Sequence, residues 1–340
     1  MPLVSVCVPT YNYGRFLPDC IESVLEQTLD DWELVICDDE STDGTEALVR
    51  SYADRDARIR YVRNERRLGM NGNLKRAADS ARGRYVKMLC ADDWIAPRCL
   101  EVLSTLMEEH PRAVLATSAE VYTDEFGTPL KVQFLFGEPV SLIDGERMLD
   151  GMAGGAGFGG NSSFFIRASA YHEVGGYDQA LLYAADYDLA ARLCRIGDYL
   201  HTDEPLFYGR SQPESSSSVN TRLLLDVRDW FAIPDKIFRP RPAGSREWRR
   251  YQRLTASLTA RYLLNIVLET ARGHHDYARE LRGIVMREGN LVLGLPLLAL
   301  QGPRRALARM ARRNVPASSP PEPWMGTPVA RRGAPAAQAS

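Results

Sequence analysis

The chain has 340 residues, 45% hydrophobic and 25% charged, enough to bury a full core and to carry more than one structural unit. Its net charge of -2 hides an asymmetry: residues 1–218 hold 21 Lys+Arg against 35 Asp+Glu, and residues 219–340 hold 21 against 9. The acidic body argues against nucleic acid as the partner of a main cleft, while the basic C-terminal third suits phosphates or an anionic membrane face.

Six cysteines are scattered without a Cys-x-x-Cys pair or a zinc spacing, which reads as small core residues of a reducing compartment. Met-Pro-Leu-Val-Ser-Val enters a strand at once, with no basic leader region. No apolar stretch reaches the ~20 residues of a spanning helix. The longest, Leu291 to Leu300, is interrupted by Gly294 and Pro296. A cytoplasmic protein is expected.

Leu3 to Pro9 is a β-rich run suited to a strand covered on both faces, and it ends in the turn Thr10-Tyr-Asn-Tyr-Gly14. Arg15 to Thr28 has helical spacing, with Leu17, Ile21, Val24 and Leu25 on one face. Trp32 to Cys37 is a second strand, ending in Asp38-Asp39. Asp43 and Glu46 then suggest a capping box for a helix through Ala53. Ile59 to Arg63 follows as a strand and Gly69 to Ala81 as a helix. Tyr85 to Cys90 is a buried strand that runs into Asp92-Asp93, and Pro97 opens a helix through Glu109. Strand and helix alternating at this spacing predict an α/β fold with right-handed crossovers and a parallel sheet.

Farther on, Val114 to Tyr122, Leu130 to Phe136 and Ser163 to Ile166 read as strands. Asp144 to Met152 reads as a short helix, Gly151 to Gly160 as a glycine-rich loop, and Asp186 to Ile196 as a helix. Beyond Val219 the pattern is helical over 222–231, 246–271 and 277–293, and residues 316–340 are Pro/Ala/Ser-rich. The expected division is a catalytic domain over 1–218, a helical region over 219–315 and a disordered tail over 316–340.

Three predicted strands end in polar clusters: Thr10-Tyr-Asn12, Asp38-Asp39 and Asp92-Asp93. Open parallel sheets bind ligands beyond the carboxyl ends of their strands, so one edge collects all three. Two carboxylates about 4 Å apart repel by roughly 1 kcal/mol in water and several-fold more in a cleft, so a cationic or hydroxyl-rich ligand belongs there. Gly155, Gly157 and Gly160 fit G-x-G-x-x-G but precede a strand, which makes them a poor dinucleotide fingerprint. Asp39 to Arg50 echoes a calcium loop but has Arg50 where a bidentate Glu is required. With no glycine cradle for phosphates, a diphosphate at this acidic edge calls for Mg2+ or Mn2+, held by hard oxygen ligands.

Val4-Ser-Val-Cys-Val-Pro-Thr-Tyr-Asn12, Leu34 to Thr45, Ala81-Arg-Gly-Arg-Tyr-Val86 with Ala91-Asp-Asp93, and Ala185-Asp-Tyr-Asp-Leu189 together resemble inverting glycosyltransferase family 2, over Leu3 to about Ser218. The resemblance implies a GT-A fold, a nucleotide-sugar donor (UDP- or dTDP-linked) and a glycan or lipid-linked hydroxyl acceptor in surface-polysaccharide or glycolipid assembly. It implies that Pro9, Tyr11 and Asn12 line the base pocket and that Asp39 accepts the imide N–H of a uracil-type base. It implies further that Asp92 lies near the ribose and the metal, that Asp93 is the principal metal ligand, and that Asp186 is the catalytic base. The sequence departs from the family pattern at Cys90, Ala185 and Gln212, and a non-catalytic nucleotide-sugar-binding relative is the alternative reading. Finally, Arg304 to Arg313 forms a basic amphipathic pattern after the apolar run. It is expected to contact an anionic membrane at its inner face, or else to dock on the acidic domain.

Overall fold

The computed structural model describes residues 1–154, 157–212 and 224–299. Strands β1 (Val4–Thr10) and β2 (Trp32–Asp38) are buried along nearly their whole length, which is why both are continuous apolar runs. They pair in parallel, from Val4 opposite Trp32 to Thr10 opposite Asp38. β3 (Ile59–Arg63) joins β2 and β4 (Tyr85–Met88) joins β1, again in parallel. The crossovers are helices α1 (Leu17–Leu25), α2 (Thr45–Ala53) and α3 (Gly69–Asp79).

Alternation along each strand divides its side chains between two layers. Val4, Val6, Val8, Leu34 and Ile36 share a core with α1, α2 and α4 (Cys99–Glu109). Cys7, Val35, Cys37, Val86 and Met88 face α3 and the helices that come later in the chain.

The remaining strands are the short β5 (Trp94–Ile95), β6 (Ala113–Thr123), β7 (Pro129–Gln133), β8 (Val140–Ile143), β9 (Phe165–Arg167) and β10 (Asp198–Arg210). The sheet order is β3-β2-β1-β4-β9-β6-β10-β5, with β7 beside β6 and β8 beside β10. The four strands expected to pair in parallel do so, and the full sheet is mixed, because β9 runs antiparallel to both β4 and β6. Two reversals restore direction, so the carboxyl ends of β6 and β10 reach the same edge as those of β1, β2 and β4.

β10 is a long strand that periodicity did not reveal. Asp203-Glu204-Pro205 interrupts its alternation, and register shifts between Thr202 and Phe207 absorb the interruption. β5 and β8 are too short to carry a pattern. The capping box expected at α2 does not form. Gly44 is the N-cap, Asp43 binds the Thr45 hydroxyl (2.6 Å) and the Gly14 N–H (2.9 Å), and Glu46 pairs with Arg50. The start of the glycine-rich run, through Ala153, belongs to helix α5 (Gly145–Ala153).

α6 (Ala168–Glu173) and α7 (Ala185–Cys194) complete this part of the chain. α8 (Leu225–Ile237), α9 (Arg246–Ala271) and α10 (His275–Glu288) follow, and residues 291–299 are helical, so the helix expected over 277–293 is broken at Gly289-Asn290. Val227, Leu254 and Leu281 from these helices share one core with Leu149 of α5 and Leu189 of α7. The segments 304–313 and 316–340 lie outside the described residues.

α9 is tied to α5 by Arg250, whose side chain is 2% exposed. Its guanidinium binds the Asp150 carboxylate at 2.7 Å, that of Glu146 at 2.9 Å and the Glu146 carbonyl at 2.6 Å. Asp150 and Glu146 are partly exposed and would rehydrate without it, which limits the loss. Arg250→Met is expected to lower the unfolding free energy by about 2 kcal/mol. A urea midpoint unchanged from wild type would refute that role.

Candidate active site

Asp92 and Asp93 sit in the turn between β4 and β5, and β5 pins that turn by pairing Trp94 and Ile95 with Tyr208 and Phe207 of β10. The Trp94 and Tyr208 rings stack at 5.5 Å. Asp93 Oδ1 accepts the Arg210 backbone N–H at 3.0 Å, and Asp92 Oδ2 accepts from Gln212 Nε2 at 2.6 Å. Each carboxylate is thereby fixed through one oxygen by the end of β10. The Arg210 side chain extends the clamp: Nε donates to the Asp92 carbonyl (3.0 Å), Nη1 to the Glu125 carbonyl (2.7 Å) and Nη2 to Asp19 (2.7 Å).

Burial, then the neighbouring Asp92 charge, push Asp93 well above the usual carboxylate range. Burial also raises Asp92, opposed by the Gln212 amide. Two carboxylates sharing a desolvated site resist ionising together, and a divalent cation relieves that repulsion. Among the described residues no group of three or more His, Cys, Asp or Glu side chains is placed to hold a metal ion. Asp92 and Asp93 are two carboxylates adjacent at this turn. That fits an ion such as Mg2+, which takes one or two carboxylates and draws its other ligands from phosphate and water.

The residues after β1 lie beside those after β2. Asp39 N–H donates to the Thr10 carbonyl (2.9 Å), and Asn12, at φ 54°, donates its N–H to Ser41 Oγ and accepts the Thr42 N–H (both 2.8 Å). Pro9 and Tyr11 flank this contact, and the Arg67 guanidinium lies 3.7 Å from the centre of the Tyr11 ring. Asp39 is already heavily engaged. Oδ1 accepts from Asn64 Nδ2 (2.9 Å) and the Leu68 N–H (2.7 Å), and Oδ2 accepts from the Gly69 N–H (2.9 Å). It caps the N-terminus of α3, where the helix dipole favours an anion. About one of the roughly four acceptor positions of a carboxylate remains.

Asp186 stands in the first turn of α7 and is half-buried. Desolvation lifts it to about 6, against a hydrogen bond from the Tyr187 N–H; the Glu120 charge adds a smaller push upward. Two positions on, Asp188 is fully buried and paired with Arg192 (2.7 Å) and Lys236 (2.9 Å). The start of α7 is held from outside the first 218 residues: Asp229 of α8 accepts the N–H groups of Tyr183 (2.5 Å) and Ala184 (3.2 Å).

The structure brings Asp92 and Asp93 together beneath Tyr13, whose hydroxyl is pushed upward by burial and by the Asp92 charge. The Asp186 charge acts on the Cys90 thiol of the same turn. Periodicity and motif spacing passed over Arg210, Glu120, Lys87, Ser162 and Asp229. Each is a single polar residue in an otherwise ordinary run, and only strand order places it near the site.

A family model described as "Glycosyl transferase family 2" matches residues 5–175. Putative glycosyltransferase EpsE of Bacillus subtilis is 32% identical over 52% of this chain and 60% of its own length. Putative teichuronic acid biosynthesis glycosyltransferase TuaG of the same species is 38% identical over 38% of this chain and 51% of its own. The chain therefore spans less than two thirds of either relative. Among solved structures, Staphylococcus aureus TarS 1-349 in complex with UDP-GlcNAc is 19% identical, with a TM-score of 0.62 over 75% of this chain and 71% of that one. Mannosyltransferase PcManGT of Pyrobaculum calidifontis, in complex with GDP-Man and Mn2+, is 20% identical, with a TM-score of 0.56 over 92% and 82%. The fold is that of the GT-A transferases, and the chain belongs to glycosyl transferase family 2.

Proposed function

We propose that the chain is an inverting, metal-dependent glycosyltransferase that moves a sugar from a UDP- or dTDP-sugar to a hydroxyl acceptor in surface-polysaccharide or glycolipid assembly. The observation that carries this reading is Asp186, a carboxylate in the first turn of α7 that burial lifts to about 6 and whose charge acts on Cys90, next to the Asp92-Asp93 turn. A general base works best with a pKa near the operating pH. Asp186 takes the proton from the acceptor hydroxyl as its oxygen forms a bond to the anomeric carbon. The bond from that carbon to the diphosphate oxygen breaks on the opposite face, which inverts the centre. Asp93, with Asp92, would hold Mg2+ or Mn2+, which when bound neutralises the departing diphosphate. Pro9, Tyr11, Asn12 and the remaining acceptor position of Asp39 form the base pocket in this reading. Solved relatives in complex with UDP, UDP-GlcNAc, and GDP-Man with Mn2+ support a nucleotide-sugar donor. We take residues 1–218 as the catalytic unit and 219–315 as its helical support.

If Asp186 is the base, turnover of wild type falls as pH drops through about 6. Asp186→Asn is expected to lose roughly 10²–10⁴ in turnover with donor binding kept. A raised folded-state pKa means that the ionised form is disfavoured by the fold. That penalty is full above about 6 and vanishes as pH falls below the ordinary carboxylate value of about 3.9. Asp186→Asn should therefore melt higher than wild type at pH 8, with the gap closing toward pH 4. Near-normal turnover in the variant rules out the base, and donor binding without release of nucleoside diphosphate by wild type favours a binding protein.

The base pocket and the metal site are separable. Asp93→Asn should abolish stimulation by Mn2+ and weaken UDP far more than uridine. Tyr11→Ala should weaken both alike by about tenfold, the loss of one stacking contact. Equal losses of UDP and uridine in both variants would overturn this division.

We infer further that the acceptor is presented at a membrane. Among the described residues no helix is long and apolar enough to cross a bilayer. The helical segment 291–299, however, exposes Val292 (83%) and Leu295 (53%) immediately before the basic run 304–313. We place the protein in the cytoplasm, resting on the anionic inner face of the membrane beside a lipid-linked acceptor. The full chain should sediment with vesicles containing anionic lipid at low salt and be released at high salt. The double variant Val292→Asp/Leu295→Asp should bind them less. A full chain that stays in the supernatant at low salt refutes this placement.

A further inference from the structure

Lys87 occupies the middle of β4 and is 0% exposed, between Val6 of β1 and Phe165 of β9. A buried ammonium carries a penalty of several kcal/mol unless its surroundings compensate it. Its Nζ donates to the Ser162 carbonyl, and the charges of Asp93 and Glu120 act on it from within the same buried region. Glu120, on β6, is 3% exposed. Its Oε1 accepts the Gly160 N–H at 2.7 Å and its Oε2 accepts the Tyr122 hydroxyl at 2.8 Å. One short segment, 160–163, is therefore held from two strands, by an internal anion on an N–H and an internal cation on a carbonyl. Hydrogen bonds to charged groups are stronger than those between neutral pairs, so this is a firmer attachment than amides or hydroxyls would provide.

Between the two attachments lies Ser162. Its hydroxyl accepts the Cys90 N–H at 2.9 Å, and the Cys90 carbonyl in turn accepts the Asp93 N–H at 3.1 Å, so Ser162 is tied to Asp93 through the backbone of this turn. The same segment closes on itself through Ser163 Oγ to the Gly160 carbonyl (2.7 Å). The Phe164 carbonyl returns to the Met88 N–H of β4 at 3.0 Å.

We propose that Lys87 and Glu120 are positioning residues: they fix segment 160–163 so that Ser162 orients Asp93 for the divalent cation and the donor diphosphate. The proposal rests on the reading of Asp93 as the metal ligand. Neither residue touches the reacting atoms; both act through Ser162.

The test uses the full chain and four measurements: calorimetric titration of Mn2+ in the presence of UDP, uridine affinity, melting temperature, and kcat with KM. Ser162→Ala keeps the carbonyl that Lys87 binds and removes only the hydroxyl. It should weaken Mn2+ binding by about tenfold, the usual cost of losing a group that orients a ligand, with uridine affinity unchanged and only a modest fall in melting temperature from the unpaired Cys90 N–H. Lys87→Met should weaken Mn2+ binding at least as much. Glu120→Gln, whose amide oxygen still accepts the Gly160 N–H, should weaken it less. Wild-type Mn2+ affinity in Ser162→Ala overturns the proposal, as does wild-type affinity in a folded Lys87→Met. If Lys87→Met does not fold, Ser162→Ala decides alone. If wild type binds no Mn2+ and releases UDP fully without it, the metal reading itself fails. The proposal, which rests on that reading, then falls with it.

Discussion

The parallel register of β1 with β2 and β4 is the constraint on which the site depends. Parallel strands end on the same side, so Thr10, Asp38 and the turn after Met88 must emerge together. The reversal through β9 could have sent β6 and β10 the other way. Two antiparallel steps in succession instead return β6 to the direction of β4, and β10 follows it in parallel. Glu120, Arg210 and Gln212 thereby meet Asp92 and Asp93 at one edge. A ligand there contacts the ends of several strands without disturbing the ladder that holds them.

Charge burial is the second organising feature. A carboxylate pair pushed upward by desolvation is unfavourable to folding and is tolerated because the β10 end supplies an N–H, an amide and a guanidinium around it. The same economy of placement appears on the other side of the sheet. Asp39 and Asp38 are also buried, but Asp39 is satisfied by the start of α3 and Asp38 by Tyr61, Arg63 and the Ser41 N–H. Adjacent acids with the same sequence appearance therefore differ: Asp38 is held by protein donors, whereas Asp92 and Asp93 share a desolvated turn in which burial raises both.

The helices after residue 224 hold α7 in place. Asp229 caps the turn that leads into Asp186, Lys236 neutralises Asp188, and Trp230 packs edge-on against Tyr187 at 4.6 Å. Through these contacts α8 sets the orientation of the helix that carries the proposed base. The matched family model ends at residue 175, before either element, so this support lies outside the part of the chain the model describes.

Local pattern alone determined the α/β class, the first four strands with their crossover helices, and the acidic clusters at their ends. Those strands are buried on both faces, so an unbroken apolar run ending in polar residues is legible without any partner. The order of the last six strands, the mixed sheet and β10 were decided only in three dimensions, because short or bulged strands lose the period that announces them. The same holds for the functional residues. Asp92, Asp93 and Asp186 stand in recognisable runs. Arg210, Glu120, Lys87, Ser162 and Asp229 acquire their meaning from residues up to 191 positions away, since hydrogen bonding depends on separation in space and leaves no spacing in the chain to read.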